Sequence, residues 1–417
     1  MKNFKFWAIA LVAILGLNSC SEDCDHNFIE VDYSKKLAGT WTCIDAENQF
    51  AEALMFNADG TVTSTGVFDG GHWEKKGTFK IKDNKITLSY EDGDLMESRF
   101  EMVEGKIFSM VDDELDVHFN YNYCENDLSD EIVGMWVSVD GPSDNGNDMV
   151  IQNFKQDGTV TKTGWSVASK EFVVKETITY KVVGDLIFHQ RPSDMVIEGV
   201  AQHFASKLTY MPNANKSGDM LTNTALKIIN GEAVVLSATM LRVKQNLNLA
   251  GNAYDYNNTY VSNVKGLDED MTMMGYTFNI GKMEGKNLDK MLKTLLFAVE
   301  FPNANTIKYQ YHYNGQNLVF EAPIVVDGNK VTIKMSEFSS YYRDVDMYMF
   351  QDQDDCQLHM YMPTYAFINY FANMDLAALA FAGEIDLTDE AAVKAIFDRM
   401  DERVESINVS FTFKASK

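Results

Sequence analysis

Leu37-Ala38-Gly39-Thr40-Trp41, followed by Asp59-Gly60-Thr61-Val62-Thr63, is the stretch that decides the fold, because the chain contains it twice. Ile132-Val133-Gly134-Met135-Trp136 echoes the first segment, and Asp157-Gly158-Thr159-Val160-Thr161 repeats the second without change. Phe56 and Phe154 precede the two Asp-Gly pairs, and Gly66 and Gly164 follow them. Offsets of 95 and 98 residues, one at each motif, mark two homologous units.

Outward from these motifs, each unit reads as short strands joined by tight turns. Asp59-Gly60 and Asp157-Gly158 supply the positive φ that hairpins require, and Asp83-Asn84, Gly93, Gly105 and Gly184-Asp185 punctuate the later strands. Between turns the apolar residues alternate, as in Phe79 and Ile81, then Ile86, Leu88 and Tyr90. The second unit carries an insertion near 193–222, after which Leu226, Ile228, Gly231 and Val234 resume the pattern of Phe100, Met102, Gly105 and Ile107. An antiparallel meander that closes into a barrel or half-barrel follows, since closure removes exposed strand edges.

The Gly-x-Trp at the first strand, with the Asp-Gly-Thr hairpin downstream, resembles the lipocalin-like domains of Bacteroidota lipoproteins. The resemblance covers 33–126 and 130–245. It implies that Trp41 and Trp136 close the base of each barrel by packing, a structural role and not a catalytic one. Residues 246–417 read as a different module, a larger α+β domain that resembles one found in uncharacterised Bacteroidota lipoproteins. Its strands are carried by Ile307, Tyr309, Tyr311 and Tyr313 into Asn314-Gly315, by the Asp327-Gly328 turn, and by Val345-x-Met347-x-Met349, Leu358-x-Met360-x-Met362 and Ile407-x-Val409-x-Phe411-x-Phe413. Helices are expected at Leu288–Leu296, Ala366–Leu379 and Val393–Val404, the last with Thr388 as N-cap and Asp389 and Glu390 in its first turn. Leu249-Ala250-Gly251 echoes the start of the repeat but lacks its tryptophan. The fold class is therefore mainly β, two lipocalin-like antiparallel barrel or meander domains followed by an α+β domain with antiparallel strands and two to three helices.

At the N-terminus, Lys2 and Lys5 precede an apolar run from Trp7 to Leu17. Eleven residues are too few to cross a bilayer, which takes about 20. Leu17-Asn18-Ser19-Cys20 resembles a lipobox, which implies a signal peptide over 1–19 and a lipid on Cys20; an ordinary secretory signal is the alternative. Ser21, Glu22, Asp23 and Asp25, within an acidic linker over 20–32, resemble the export tag of Bacteroidota surface lipoproteins. That implies the outer membrane and the cell surface, with a periplasm-facing anchor as the alternative.

A hydrophobic content of 46% with 12% aromatic residues is enough to build large cores. The formal charge of -25 becomes -27 once Lys2 and Lys5 leave with the leader. Such a polyanion is mismatched to phosphate backbones, so nucleic acid is excluded as a partner.

Catalytic and metal signatures are missing from the sequence. The seven histidines show no His-x-x-x-His, there is no Cys-x-x-Cys, and no Gly-x-Ser-x-Gly, P-loop or His-Glu-x-x-His occurs. No metal, cofactor or enzymatic activity is expected. Asp352, Asp354 and Asp355 lack the glycine and terminal glutamate of a calcium loop and read as a solvated turn. Cys43 and Cys124 fall on strands that a closed barrel makes neighbours, so they are either a disulfide or two free thiols; Cys24 and Cys356 have no evident partner. Tyr309, Tyr311, Met347, Met349, Met360 and Met362 concentrate polarisable side chains in the last module, suited to an adaptable apolar cavity or to plain core. The function expected is binding of a hydrophobic or amphipathic small molecule by a membrane-anchored lipoprotein. The alternatives are a glycan-binding surface lipoprotein of a polysaccharide-uptake system, using exposed aromatic platforms, and a structural component that docks a protein partner of the envelope.

Overall fold

Three eight-stranded antiparallel barrels follow one another along the chain in the computed structural model. It describes residues 33–45, 50–68, 70–82, 84–103, 105–112, 117–138, 148–192, 202–213, 218–229, 232–273, 276–313 and 315–416. The segments expected as leader (1–19) and linker (20–32), with Cys20 and Cys24, lie outside them, as does part of the expected insertion near 193–222.

A short helix, α1 (Tyr33–Leu37), leads into the first barrel. Its strands are β1 (Gly39–Asp45), β2 (Phe50–Phe56), β3 (Thr61–Phe68), β4 (Gly71–Lys82), β5 (Lys85–Tyr90), β6 (Leu95–Val103), β7 (Ile107–Asp112) and β8 (Val117–Cys124). Each strand pairs with the next, and β8 returns to β1 with Trp41 opposite Tyr123. The second barrel repeats this with β9 (Gly134–Ser138), β10 (Val150–Phe154), β11 (Thr159–Ser166), β12 (Glu171–Val183), β13 (Leu186–Gln190), β14 (His203–Met211), β15 (Met220–Ile229) and β16 (Glu232–Val243). Here β16 closes on β9, with Arg242 opposite Trp136.

The duplicated pentapeptide builds the same turn twice. Asp59 accepts hydrogen bonds from the Thr61 amide and hydroxyl at 2.9 and 2.7 Å, and Asp157 accepts from those of Thr159 at 2.9 and 2.6 Å. Gly60 and Gly158 take φ of 86° and 79°, conformations that favour glycine.

The third region holds the antiparallel strands and helices of an α+β module, and its strands also close into a barrel. After β17 (Ala253–Gly266) the chain makes a small hairpin, β18 (Asp270–Met273) with β19 (Tyr276–Asn279), and then α2 (Gly285–Leu295). It re-enters the sheet through β20 (Leu296–Asn303), β21 (Thr306–Tyr313), β22 (Gln316–Asp327), β23 (Lys330–Ile333), β24 (Val345–Gln351) and β25 (Gln357–Met362). Two helices, α3 (Thr364–Phe381) and α4 (Glu390–Arg403), precede the closing strand β26 (Val404–Ala415). β17 pairs with β20 on one side and β26 on the other. The N-cap of α4 is Asp389 rather than Thr388: the Asp389 carboxylate accepts from the amides of Ala391 and Ala392, while the Thr388 hydroxyl turns back to Asp386.

The structure chooses between the two readings left open for Cys43 and Cys124 and corrects the one given for Asp352. Cys43 and Cys124 are free thiols. Their strands are neighbours, but the register sets Cys124 opposite Thr40, so the two cysteines are out of step along the ladder and on opposite faces of the sheet. Cys43 belongs to the first barrel's core, whereas the Cys124 sulfur lies beside Gly184 of the second barrel. Asp352 is not part of a solvated turn. It is fully buried, bridges to Val243 of β16 and accepts a hydrogen bond from the Gln357 amide at 2.9 Å.

The barrels touch through apolar faces. Ala51, Ala53 and Val67 of the first pack against Val183, Leu186 and Phe188 of the second. Val137, Trp165 and Leu241 of the second pack against Phe350 and Tyr361 of the third. Among the described residues, no helix is long and apolar enough to cross a membrane.

Candidate functional site: the barrel lumens

Alternation along the strands sends every second side chain into a lumen, and each lumen begins on an apolar floor. In the first barrel the floor is built on Trp41, fully buried, its indole N–H donating to the Leu37 carbonyl at 2.8 Å and its ring meeting Phe108 and Tyr123 edge-on. In the second, Trp136 donates to the Ile132 carbonyl at 2.7 Å, and the Arg242 guanidinium lies 4.9 Å over its ring. Gly39 and Gly134, two residues before these tryptophans, have φ of 130° and 137°.

Above the floors the two copies diverge. The first lumen encloses Glu52, a buried carboxyl that accepts from the Ser64 hydroxyl at 2.5 Å and from the Tyr121 hydroxyl. Ser64 in turn accepts from the Trp73 indole at 2.6 Å, and the Trp73 ring lies so close over Gly66 that a Cβ there would overlap it. Burial raises the Glu52 carboxyl above its ordinary range against the opposing hydrogen bonds of Ser64, Tyr121 and Trp73. Burial, with the nearby Glu52 and Asp45, pushes the Cys43 thiol up to about 12. The Glu52 carboxyl is satisfied by the protein's own donors, the arrangement of a specifying core.

The second lumen is different in kind. Val160, Ile178, Ile187, Leu208 and Leu221 form its floor with Trp136. Two residues further along the same faces stand Lys162, Glu176, His189, Ser206 and Asn223. Lys162 and Glu176 are cross-strand partners, 2.7 Å apart, and Arg191 reaches the other Glu176 oxygen at 3.5 Å. His189 faces Phe204 across the ladder, the rings stacked at 4.6 Å, and the Arg191 guanidinium lies 4.4 Å from the same Phe204 centroid. His189 Nδ1 and Asn223 Oδ1 are buried and find no hydrogen-bond partner among the described residues. Burial, reinforced by the Lys162 and Arg191 charges, lowers His189 to about 3, so the ring is neutral. Burial works against ionisation of Glu176, yet the Lys162 and Arg191 contacts prevail and hold its carboxyl below the usual range.

The residues singled out in the third region converge without lining an opening. Tyr309, Tyr311, Met347, Met349, Met360 and Met362 are all buried in one core with α3. The Tyr311 hydroxyl meets that of Tyr370 from α3, and the Tyr309 hydroxyl points at the Met347 sulfur, 3.9 Å away. A cavity of about 110 Å³ lies beside them, between α2 and α3, lined by Met283, Leu288, Met291, Phe367 and Phe371 with Thr277 and Asn287. The exposed large aromatics among the described residues are Phe68, Tyr123, Phe338 and Phe381, on separate parts of the chain rather than in a strip. No three histidine, cysteine or acidic side chains among the described residues converge as metal ligands.

Sequence reasoning did not single out Lys162, Glu176, His189 or Arg191. A signal was present: Asp59-Gly-Thr-Val-Thr63 and Asp157-Gly-Thr-Val-Thr161 are identical, and the next residue is Ser64 in one copy and Lys162 in the other. The first difference after the motif is a lumen position.

Eight strands in up-and-down order around a closed lumen is the architecture shared by lipocalins and small outer-membrane barrels. No protein-family profile matches the chain, and no curated protein matches it. Among solved structures it is similar to the isotype 1 transferrin binding protein B from serogroup B Neisseria meningitidis, at 7% identity and a TM-score of 0.20. That similarity covers 88% of this chain and 66% of that one, so the chain spans just under two thirds of its length. It is also similar to a porin-like protein from Bacteroides uniformis, at 11% identity and a TM-score of 0.12, covering 48% of this chain and 94% of that one.

Proposed function

We propose that the chain is a lipid-anchored extracytoplasmic binding protein that takes a hydrophobic or amphipathic small molecule into the lumen of its second barrel. In this reading 1–19 is a cleaved signal, Cys20 carries the lipid, 20–32 is a linker, and 33–126, 130–245 and 246–417 are the successive domains. Binding rather than catalysis is the role. The observation that carries it is the division of one lumen into an apolar floor and a polar chamber holding buried polar atoms without partners among the described residues. Buried polar atoms are normally paired, with the protein, with water or with a bound molecule, since an unpaired one costs about 1–3 kcal/mol.

Native mass spectrometry of the protein purified from its own envelope tests this reading. A co-purified small amphiphile, lost when Lys162 or Asn223 is replaced, is expected. Recovery of a ligand-free protein that instead binds a glycan array would overturn it. The anchor has its own test: the mature N-terminal peptide should carry a diacylglyceryl group on Cys20, and Cys20→Ala should release the protein from the membrane.

A further inference from the structure

We infer that the third region holds a second, smaller site, between α2 and α3, for a single uncharged aromatic ring that carries a polar substituent. The site is separate from the lumen of the second barrel, and its chemistry follows from its walls.

The cavity of about 110 Å³ has a helix on either side. α2 contributes Leu288 and Met291, three residues apart on one face, with Met283 from the segment just before it. α3 contributes Phe367 and Phe371, four residues apart, their ring centroids 4.5 Å from each other. Met283, Leu288, Phe367 and Phe371 are buried, so the depth of the cavity is apolar. The two polar residues of the lining, Thr277 and Asn287, are exposed, which puts the opening on their side. A packing gap sealed inside a core has no such way in.

Atoms that face a void lose contact partners, and a guest of matching shape restores them. Size limits that guest. An apolar cavity of about 150 Å³ engineered in another protein takes benzene, so this smaller one has room for one ring and not for a long chain. The walls favour an aromatic ring over a saturated one, because two methionine sulfurs and two phenylalanine rings all interact well with a π-system. None of the described residues lining the cavity is charged, so an ionised guest would lose its hydration without gaining a partner. At the mouth, the Thr277 hydroxyl and the Asn287 amide can each donate to or accept from a polar substituent that points outward.

Methyl NMR of the full chain, labelled at its methionines, tests the site with phenol and its saturated counterpart cyclohexanol. Phenol should shift the Met283 and Met291 methyls saturably, with an affinity about three- to tenfold above that of cyclohexanol, the range of ring–ring and sulfur–ring contacts. Leu288→Phe puts a ring of the protein's own into the space and should weaken phenol at least about tenfold. The buried Met347 and Met349 methyls, unmoved in that variant, would report an intact fold. If the variant does not fold, Met291→Phe fills the space from the half-buried side of α2 and should leave Met283 unaffected by phenol. Shifts confined to Met240, on the floor of the second barrel, or no saturable shift at all, would overturn the inference. So would undiminished phenol binding by either folded variant. Equal affinities for phenol and cyclohexanol would overturn the aromatic assignment.

Discussion

At the scale of single residues, the two glycines of the Gly-x-Trp motifs give the sharpest comparison. Gly39 and Gly134 share a φ near 130°, where any side chain is strained by about 1–3 kcal/mol. A Cβ on Gly39 would also come within 2.6 Å of the Tyr123 ring, which is held against Trp41; on Gly134 it would meet only the Arg242 Nε at 3.7 Å. Gly39→Ala should therefore cost more than Gly134→Ala by about 1–3 kcal/mol in urea unfolding, the usual range for overpacking. Equal losses would show that Tyr123 yields freely. Glu52 makes a prediction about pH. Its folded carboxyl keeps its proton to higher pH than in the unfolded chain, where it titrates near 4.5. The stability it contributes is full below that value and is lost as pH rises through the folded pKa. Glu52→Gln preserves the shape and has no proton to release, so the variant should outlast the parent at pH 8 and lose its advantage towards pH 4. Thermal melts across that range check it, and parallel curves for the two proteins would contradict the raised pKa.

At the scale of elements, capping decides how α4 begins. Asp389 accepts from two otherwise unpaired amides of the first turn, so Asp389→Ala should cost about 1 kcal/mol. Thr388→Ala, which loses only a hydroxyl bond to Asp386, should cost less, and the reverse order in chemical denaturation would restore Thr388 as the cap. The sequence places this helix one residue early because threonine and aspartate are both good caps and stand side by side. Local order of this kind was legible: Asp-Gly turns, period-two strands and the helical stretches appear where alternation puts them, with the start of α4 one residue later than its expected cap. The closure of the third barrel was not, because β17 and β20 are separated by a hairpin and a helix, and β26 returns from the far end of the chain. Pairings that distant leave no local trace. The chamber was hidden for a related reason. A bulge between Lys162 and Thr163 breaks the alternation of β11 against β12, and charged residues on a strand read as solvent-facing until the sheet is known to close over them. What distinguished Lys162 was comparison between the copies, which locates where a shared shell has changed its contents.

At the scale of the whole molecule, the second barrel holds its neighbours by unlike contacts. Toward the first barrel these are small apolar residues, a 2.7 Å hydrogen bond from Thr42 to Asp185, an ion pair of Lys181 with Glu74, and the stacked rings of His72 and His203. Toward the third, Trp165 and Phe172 interlock with Tyr348, Phe350 and Tyr361, and Asp148 gathers the polar groups at their edge. The Asp148 carboxylate accepts from Ser262, Asn263, Tyr361 and Asn408, at 3.2, 3.1, 2.9 and 2.7 Å, all four from the third barrel. Bonds to an ionised acceptor contribute about 1.5–3 kcal/mol each, and a donor stranded in a buried interface costs more than one that was never placed there. Asp148→Ala strands four at once while leaving both barrels' ladders whole. Calorimetry should show the parent's second and third barrels melting together, and the variant's melting should shift down and split, with the first barrel's transition in place. Asp148→Asn, which keeps the carbonyl and loses the charge, should fall between them. A single unshifted transition in Asp148→Ala would mean that the aromatic contacts alone join the two barrels.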